Sequence, residues 1–475
     1  MSGTSKPFMD DMLNGWYIKS PDMPVISLFT GCGGMEIGLE MAGFRTAICV
    51  EIDKDCRSTV GLNRDWKFVL AGSGEHSAEE RWGKEYRLER KAQVIGCVTS
   101  DRRPTGSVVL DDGRTVKINK THRLRKAGNT YIVEIREVEV GYVRSRDKKR
   151  LRRRNGQMVE LDEAHRLRRA PGGDITQLST ADILAAGNLQ PGDAALVTGG
   201  APCQPFSTIG EGLGVLSKKG NLFREFMRVV EEAQPMGFIF ENVSGIKQKQ
   251  HRQVIDHIRR ISGDIGYSVR AGILNAADYG VPQIRKRFIV LGVRNGCGQP
   301  AFPYPTHAKN PAAGFKNWVT VGECFQAIHQ SDFSRPDSKQ MKVSKQTARR
   351  ISYIKVGTQD NFRSIPNRFR PECWKDRVDE EGRQLGYQGE DPFGRLSLDK
   401  PSVTIRTRGY HPMTGRFLHP TEDRALNTIE MARLQGFPAE WRFHGGLESI
   451  GRQIGNAVPP QLAKALGEAF RQIVT

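Results

Sequence analysis

The apolar positions of this chain follow two rhythms. Short, mainly apolar runs at residues 25–29, 46–50, 194–197, 237–240 and 288–293 read as strands, and residues 267–274 as one more. Between and after them, residues 35–42, 56–62, 181–186, 222–233 and 253–261 space their apolar side chains as helices do. The first strand runs into Thr30-Gly31-Cys32-Gly33-Gly34, a helix follows and stops at Gly43, and the next strand ends in Glu51 and Asp53. Strand, glycine turn, helix, strand and acidic end predict the cofactor half of a doubly wound α/β sheet. A carboxylate at that strand end can hold both hydroxyls of a ribose.

The rhythm breaks near residue 66 and resumes at Gly173-Asp174-Ile175. Within the break, residues 77–93 read as a charged helix and 94–143 as short strands with turns, including the hairpin signal Asp111-Asp112-Gly113-Arg114. Residues 296–394 are rich in Pro, Asn and Gly and read as a separate irregular domain. Residues 395–408 read as a strand–turn unit and 428–435 as a helix. Gln453-Ile454-Gly455-Asn456-Ala457-Val458-Pro459-Pro460 leads into a last helix at 461–473. The expected division is 1–65 and 173–295 for a split α/β domain, 66–172 for an insertion, 296–394 for the irregular domain, and 395–475 for the end of that irregular domain and the C-terminal return to the first.

Composition narrows the class. The 475 residues are 38% apolar, enough for two or three domains. No run of about 18 apolar residues is present, so no membrane span is expected, and residues 1–13 lack a signal-peptide pattern. None of the eight cysteines forms a C-x-x-C pair. Neither a zinc site nor a disulfide framework is indicated, and a reducing, intracellular setting fits. The net charge of +19 points to a polyanionic partner, most simply nucleic acid. Residues 67–173 hold 26 basic and 15 acidic side chains, so more than half of the excess sits in the insertion. Its densest stretch is Arg144, Arg146, Lys148, Lys149, Arg150, Arg152, Arg153 and Arg154.

The strand at 194–197 enters Gly199-Gly200-Ala201-Pro202-Cys203-Gln204. Two glycines allow a sharp turn and Pro202 stiffens it. A thiol is thereby delivered to a strand end, where ligands of open α/β sheets bind. Cys203 is a candidate nucleophile.

The ordered set Phe29-Thr30-Gly31-Cys32-Gly33-Gly34, Pro202-Cys203-Gln204, Glu241-Asn242-Val243, Gln283-Ile284-Arg285-Lys286-Arg287 and Gly455-Asn456-Ala457-Val458-Pro459-Pro460 resembles the cytosine-C5 DNA methyltransferase family. The resemblance covers nearly the whole chain outside the insertion and residues 296–394. It implies a class I methyltransferase fold, S-adenosylmethionine as co-substrate with no metal, and a smaller target-recognition domain, here residues 296–394. It implies a restriction–modification type of enzyme, bacterial or phage, working as a monomer on double-stranded DNA in the bacterial cytoplasm or nucleoid or in a phage-infected cell. A cognate restriction endonuclease is not identifiable from the chain.

The chemistry accounts for the residue types. A thiolate adding to carbon 6 of cytosine breaks its aromaticity and makes carbon 5 enamine-like; Cys203 is placed for this. Arg285 and Arg287, by resemblance, lie close and favour the thiolate. The ring N3 gains charge and needs a proton, which Glu241 supplies if burial raises its pKa. Asn242 is expected to hold the active-site loop. On the cofactor side, the resemblance assigns Phe29 to the adenosine and Gly31, Cys32, Gly33 and Gly34 to the methionine part. It assigns Glu51 to the ribose, Ile52, Asp174 and Ile175 to the adenine, and weaker contacts to Pro202, Leu222, Asn456 and Val458. A cytosine in a duplex must be flipped out to be reached, and residues 204–221, with Lys218 and Lys219, read as the closing loop. The sequence departs from the family in its insertion, for which the functional expectation is an extra nucleic-acid clamp.

Overall fold

The computed structural model describes residues 23–69, 173–201, 221–243, 248–356, 360–375 and 392–474, with the strands between Glu85 and Arg169 and the short pair Arg377–Val378 and Gln384–Leu385. The chain divides into two compact units, Met1–Phe68 with Ser179–Thr475, and Val69–Leu178.

The first unit is built on a six-stranded mixed sheet. Its strands are β1 (Pro24–Leu28), β2 (Arg45–Val50), β3 (Leu196–Gly199), β4 (Gly237–Val243), β5 (Tyr267–Asn275) and β6 (Lys286–Arg294), in the order β5-β6-β4-β3-β1-β2. β2, β1, β3 and β4 run parallel, and β6 runs antiparallel to both β4 and β5. β1 and β3 are buried along their whole length, because helices cover both faces of a parallel sheet. That is why the apolar runs at 25–29 and 194–197 do not alternate. Beyond β2 the chain lies parallel to it for one bridge: Cys49 N–H donates to Lys67 O at 2.8 Å, and Cys49 faces Phe68.

The helices that bear on the site are α1 (Gly34–Met41), α2 (Lys54–Asn63), α3 (Thr180–Ala186), α4 (Asn221–Ala233), α5 (Gln248–Asp264), α6 (Thr428–Leu434), α7 (Leu447–Asn456) and α8 (Pro460–Val474). The apolar stripe of α4 sets Phe223 and Phe226 edge-on to Phe240 of β4, with ring centroids 5.0 and 5.2 Å apart. Each such buried ring contributes about 2–3 kcal/mol. α8 closes the opposite side, where Leu462, Ala463, Leu466 and Phe470 share one core with Leu39 and Ala42 of α1.

Three local expectations are corrected. α7 was expected only as a lead into the last helix, since Gly451 and Gly455 argue against a helix by propensity. Both glycines are needed for close approach: a Cβ on Gly455 would lie 2.3 Å from Thr407 N, and one on Gly451 would lie 2.7 Å from Thr407 O. Residues 395–408 form no regular strand; Arg395 bridges Leu418 and Ser402 bridges Gln283 singly. In the second unit, Glu85–Arg90 is a strand, not part of a charged helix, and its charged and apolar residues alternate with period two.

The described strands of the second unit pair antiparallel. A five-stranded sheet joins Met158–Glu160, Asp147–Arg153, Val138–Arg144, Glu85–Arg90 and His165–Arg169 in that order. A three-stranded sheet joins Gln93–Thr99, Thr130–Ile135 and His122–Ala127, and Ser107–Val109 pairs with Thr115–Lys117 across the expected Asp111–Arg114 turn. Residues 296–394 lie within the first unit. There Ile351, Ile354, Phe362, Ile365, Phe393 and Leu418 form a small core with Trp374 packed against it.

Candidate active site

The C-terminal ends of β1, β2, β3 and β4 carry the predicted site residues. At the end of β1, Phe29 is half-buried and adopts φ 57°, a left-handed conformation unusual for a bulky side chain. Gly31 and Gly33 follow at φ 58° and 88°. A hydroxyl–carboxyl chain pins the start of this turn. Ser27 Oγ donates to Glu36 Oε1 at 2.6 Å and lies 2.8 Å from Thr30 Oγ1. Glu36 is buried and its Oε2 has no partner. Burial, opposed by the Ser27 hydrogen bond, pushes its carboxyl up to about 7.

The next strand supplies Glu51, also buried. Its Oε2 accepts from Gly31 N–H and its Oε1 from Asp53 N–H, both at 2.7 Å. Burial raises its pKa against the pull of these two amides. The carboxylate thus joins the glycine turn to the end of β2. Ile52 beside it leaves half of its surface exposed (50%), an apolar side chain presented to a ligand at a strand end. The C-terminal motif comes back to the same place: a Cβ on Gly34 would lie 2.4 Å from Val458 O. Asn456, the last residue of α7, is exposed, and Val458 is buried. Polar contacts lock α7 to α2, through Arg452 with Asp53 at 2.9 Å, Ser449 with Asp55 at 2.6 Å and Thr59 with Gln453 at 2.6 Å. These partners carry no sequence signal, being isolated polar residues on two distant helices.

Cys32 turns its side chain away from the turn. Its Sγ is buried and donates to Gln453 O at 3.4 Å, and burial pushes the thiol far up, so it is a packing residue whose backbone alone reaches the turn. Leu222 is half-buried in the first turn of α4. Asp174 and Ile175 belong to the second unit, where Asp174 Oδ1 accepts from Thr176 Oγ1 at 2.7 Å and Ile175 is buried.

The second half of the site is the end of β3 beside β4. Pro202, Cys203 and the loop 204–220 lie outside the described residues. What leads into them is described. Asn242 Nδ2 donates to Ala201 O at 3.1 Å and so holds the backbone two residues before Cys203. A Cβ on Gly200 would lie 2.8 Å from Glu241 Oε2, so a side chain there would push this carboxyl group from its place. Glu241 is buried and pairs with buried Arg287, Nε to Oε1 at 2.7 Å. Burial raises the Glu241 pKa, and Arg287 and then Arg285 oppose the rise.

The two arginines part company. Arg287 faces Glu241. Arg285 is fully buried, with Nη1 donating to Ile405 O at 2.9 Å and Nη2 to Gly455 O and Ala457 O at 2.7 and 3.0 Å. Its donors bind the backbone of the C-terminal motif, and its charge reaches Glu241 only through space. Gln283 belongs to the same buried knot: Nε2 donates to Gln435 Oε1 at 2.8 Å, Oε1 accepts from Ile405 N–H, and Gln435 Nε2 donates to Ala457 O at 2.6 Å.

In residues 296–394, the aromatics mostly serve packing. Phe362 and Trp374 are 5.6 Å apart in the small core, Trp318 Nε1 donates to Asp278 at 2.9 Å, and Tyr353 stacks on Phe369. Arg349 lies over the Phe369 ring at 4.1 Å. Phe315 is exposed.

Comparison with known proteins is consistent with this geometry. A sequence profile for C-5 cytosine-specific DNA methylases matches residues 23–74 and 160–472. Type II methyltransferase M.NgoFVII of Neisseria gonorrhoeae is 34% identical over 305 residues, covering 63% of this chain and 74% of that protein. Type II methyltransferase M.PspPI of Psychrobacter sp. (strain TA137) is 34% identical over 280 residues, covering 59% of this chain and 64% of that protein. Among solved structures, an Escherichia coli prophage-encoded protein assigned as a DNA modification methyltransferase superposes with a TM-score of 0.55 at 18% identity. That alignment covers 95% of this chain and 99% of the other and is a likeness of fold.

Proposed function

The chain belongs to the C-5 cytosine-specific DNA methylase family, and from that premise we propose that it methylates carbon 5 of a flipped-out cytosine through a covalent bond from Cys203 to carbon 6. The single observation that carries this reading is the buried Glu241 beside Gly200. An acid of raised pKa stands against the strand that runs into Pro202-Cys203.

The roles follow from placement. Asn242 fixes the backbone at Ala201, which limits where Cys203 can lie. The Cys203 thiolate adds to carbon 6 as Glu241 gives its proton to N3, so negative charge does not build up on the ring. Arg287 holds the Glu241 carboxyl in place and stabilises it once ionised. Loss of the carbon 5 proton and return of the N3 proton then release Cys203. Arg285 acts by positioning: it ties the start of β6 to residues 455–457.

The residues at the β1 and β2 ends fit S-adenosylmethionine. Glycines at positive φ open the backbone, Glu51 offers a buried carboxylate with lone pairs beyond those facing Gly31 and Asp53, and Ile52 offers exposed apolar surface. Phe29, Gly31, Gly33, Gly34, Glu51, Ile52 and Val458 would hold it, with Pro202, Leu222 and Asn456 as further contacts. When bound, this co-substrate supplies an electrophilic methyl group to carbon 5. Residues 296–394 would select the sequence around the cytosine, as one chain acting alone on duplex DNA in the compartment that holds it.

Bisulfite sequencing of DNA from cells expressing the chain tests the activity and reads the target together. The expected result is conversion-resistant cytosine in one sequence context. Complete conversion everywhere, with the protein expressed and folded, would remove the proposal. Mass spectrometry of a denatured reaction mixture tests the covalent step, through a DNA adduct on the peptide containing Cys203.

A further inference from the structure

Arginines crowd the chain around the small core of residues 296–394. Residues 341–375 hold nine basic side chains and two acidic ones, Asp360 and Glu372. Two of the arginines are buried and give their donors to the backbone. Arg350 Nε donates to Phe369 O at 2.7 Å, and Arg370 donates from Nε to Ile365 O and from Nη2 to Arg363 O, both at 2.7 Å. The first of these bonds fastens the helix Lys345–Ile351 to the short helical turn Asn367–Phe369. Their exposed neighbours Arg349 and Arg368 are placed differently. Arg349 lies over the Phe369 ring at 4.1 Å and Arg368 over the same ring at 4.8 Å, and Tyr353 stacks on Phe369 with ring centroids 5.7 Å apart. Neither guanidinium has a hydrogen-bond or carboxylate partner among the described residues.

A guanidinium held on a ring has lost much of its freedom to turn, while its N–H donors stay unpaired. Such fixation adds little to a phosphate contact, which positions a protein on DNA without reading sequence. It matters for reading a base, because the planar arginine fork matches O6 and N7 of guanine in the major groove in one orientation. The aromatic platform is also joined to the candidate active site. Tyr353, Phe369 and Met413 pack against one core. Met413 lies on the loop that leaves Ile405, whose N–H donates to Gln283 and whose carbonyl accepts from Arg285. We infer that Arg349 and Arg368, held on Phe369, are specificity-determining residues that read guanine edges in the target duplex. The inference rests on the reading that residues 296–394 select the sequence around the cytosine, and it names side chains that do so.

The test uses the full chain and its variants on a duplex library randomised around cytosine, read by bisulfite sequencing, with kcat/KM measured on the preferred duplex. Arg349→Lys and Arg368→Lys keep the charge on an exposed position and lose the fork. Each should relax the preference at one G·C pair and lower kcat/KM on the preferred duplex by roughly ten- to a hundredfold. The melting temperature should not move, and the salt slope of binding to a non-cognate duplex should stay the same because the charge remains. Phe369→Leu leaves an apolar side chain on the core and removes the platform, so it should relax both positions at once. Phe369→Tyr keeps the ring and should restore both preferences. Lys345→Gln removes an exposed charge of the same helix that lies on no ring, and should leave the preference unaltered. An unaltered preference in either lysine variant, an even loss across all sequences, or relaxation at an A·T pair overturns the proposal. If the unaltered chain methylates but shows no sequence context, the assignment of residues 296–394 fails first and this inference fails with it.

Discussion

Two sheets in this protein handle charge in opposite ways. In the mixed sheet of the first unit, strands β1 to β4 are buried and carry charge only toward their ends. There each titratable group has a designated partner: Arg287 for Glu241, two backbone amides for Glu51, three backbone carbonyls for Arg285. The antiparallel sheet of the second unit carries arginines all along its strands, even setting Arg87 opposite Arg168 in register. A buried charge acts as an individual, because low polarity around it magnifies both its pairing and its loss. An arginine on a face acts as one member of a sum.

The contrast can be broken at four levels. The largest effect belongs to the proposed chemical pair. Cys203→Ala should lower methyl transfer by about four orders of magnitude or more, with DNA affinity retained. Glu241→Gln should cost about 10²–10⁴ in kcat. Because Glu241 acts protonated, activity of the unaltered enzyme should fall as pH rises through its raised pKa, and this limb should vanish in Glu241→Gln; a shared limb in both proteins would reassign it.

Next comes Arg285→Met. Three buried carbonyls lose their donor, so unfolding free energy should drop by about 3–5 kcal/mol in urea titrations. Arg287→Met should lose activity with a smaller loss of stability. The reverse order would mean that the two arginines have been assigned the wrong way round.

Glu36 gives a pH signature. Its carboxyl stays protonated in the folded chain to about pH 7 but ionises near 4.5 when unfolded. Between these values the folded state binds more protons, so stability must fall as pH rises from about 5 to 7 and level off above that. The fall should approach about 3 kcal/mol, and Glu36→Gln should abolish it. Parallel pH–stability curves for the two proteins would show that Glu36 is already ionised when folded.

The smallest effect is expected for a single change among the strand arginines of the second unit. Arg152→Gln should shift the salt slope of DNA binding by about one unit and stability by less than about 0.5 kcal/mol. A loss as large as that of Arg285→Met would erase the distinction between the two sheets.

The central sheet was legible because its strands are continuous apolar runs closed by glycine turns, and the observed β1 to β6 lie on those runs. Glu51 and Glu241 could be found because each is an acid directly after such a run. Legibility failed wherever a long-range contact decides local structure. α7 forms despite Gly451 and Gly455 because Thr407 and Tyr410 lie against them. The different fates of Arg285 and Arg287 depend on residues 405 and 455–457, far along the chain. Glu85–Arg90 was misread because charged residues at short spacing suit a helix surface as well as one face of a strand, and only pairing with Val138–Arg144 and His165–Arg169 decides.

The bridge from Cys49 to Phe68 has a consequence for how this protein is made. The chain leaves the edge of the sheet there, builds the whole second unit, and re-enters with Ser179. β1 must therefore wait for β3, since Val25 pairs with Leu196. Closing so long a loop adds only about 0.6 kcal/mol per doubling of length, so the finished protein scarcely registers it. On the ribosome the delay is a matter of time: β1 and β2 emerge first, and the strand that delivers Cys203 emerges after every arginine strand. The nucleophile can enter its site only after the second unit has been synthesised.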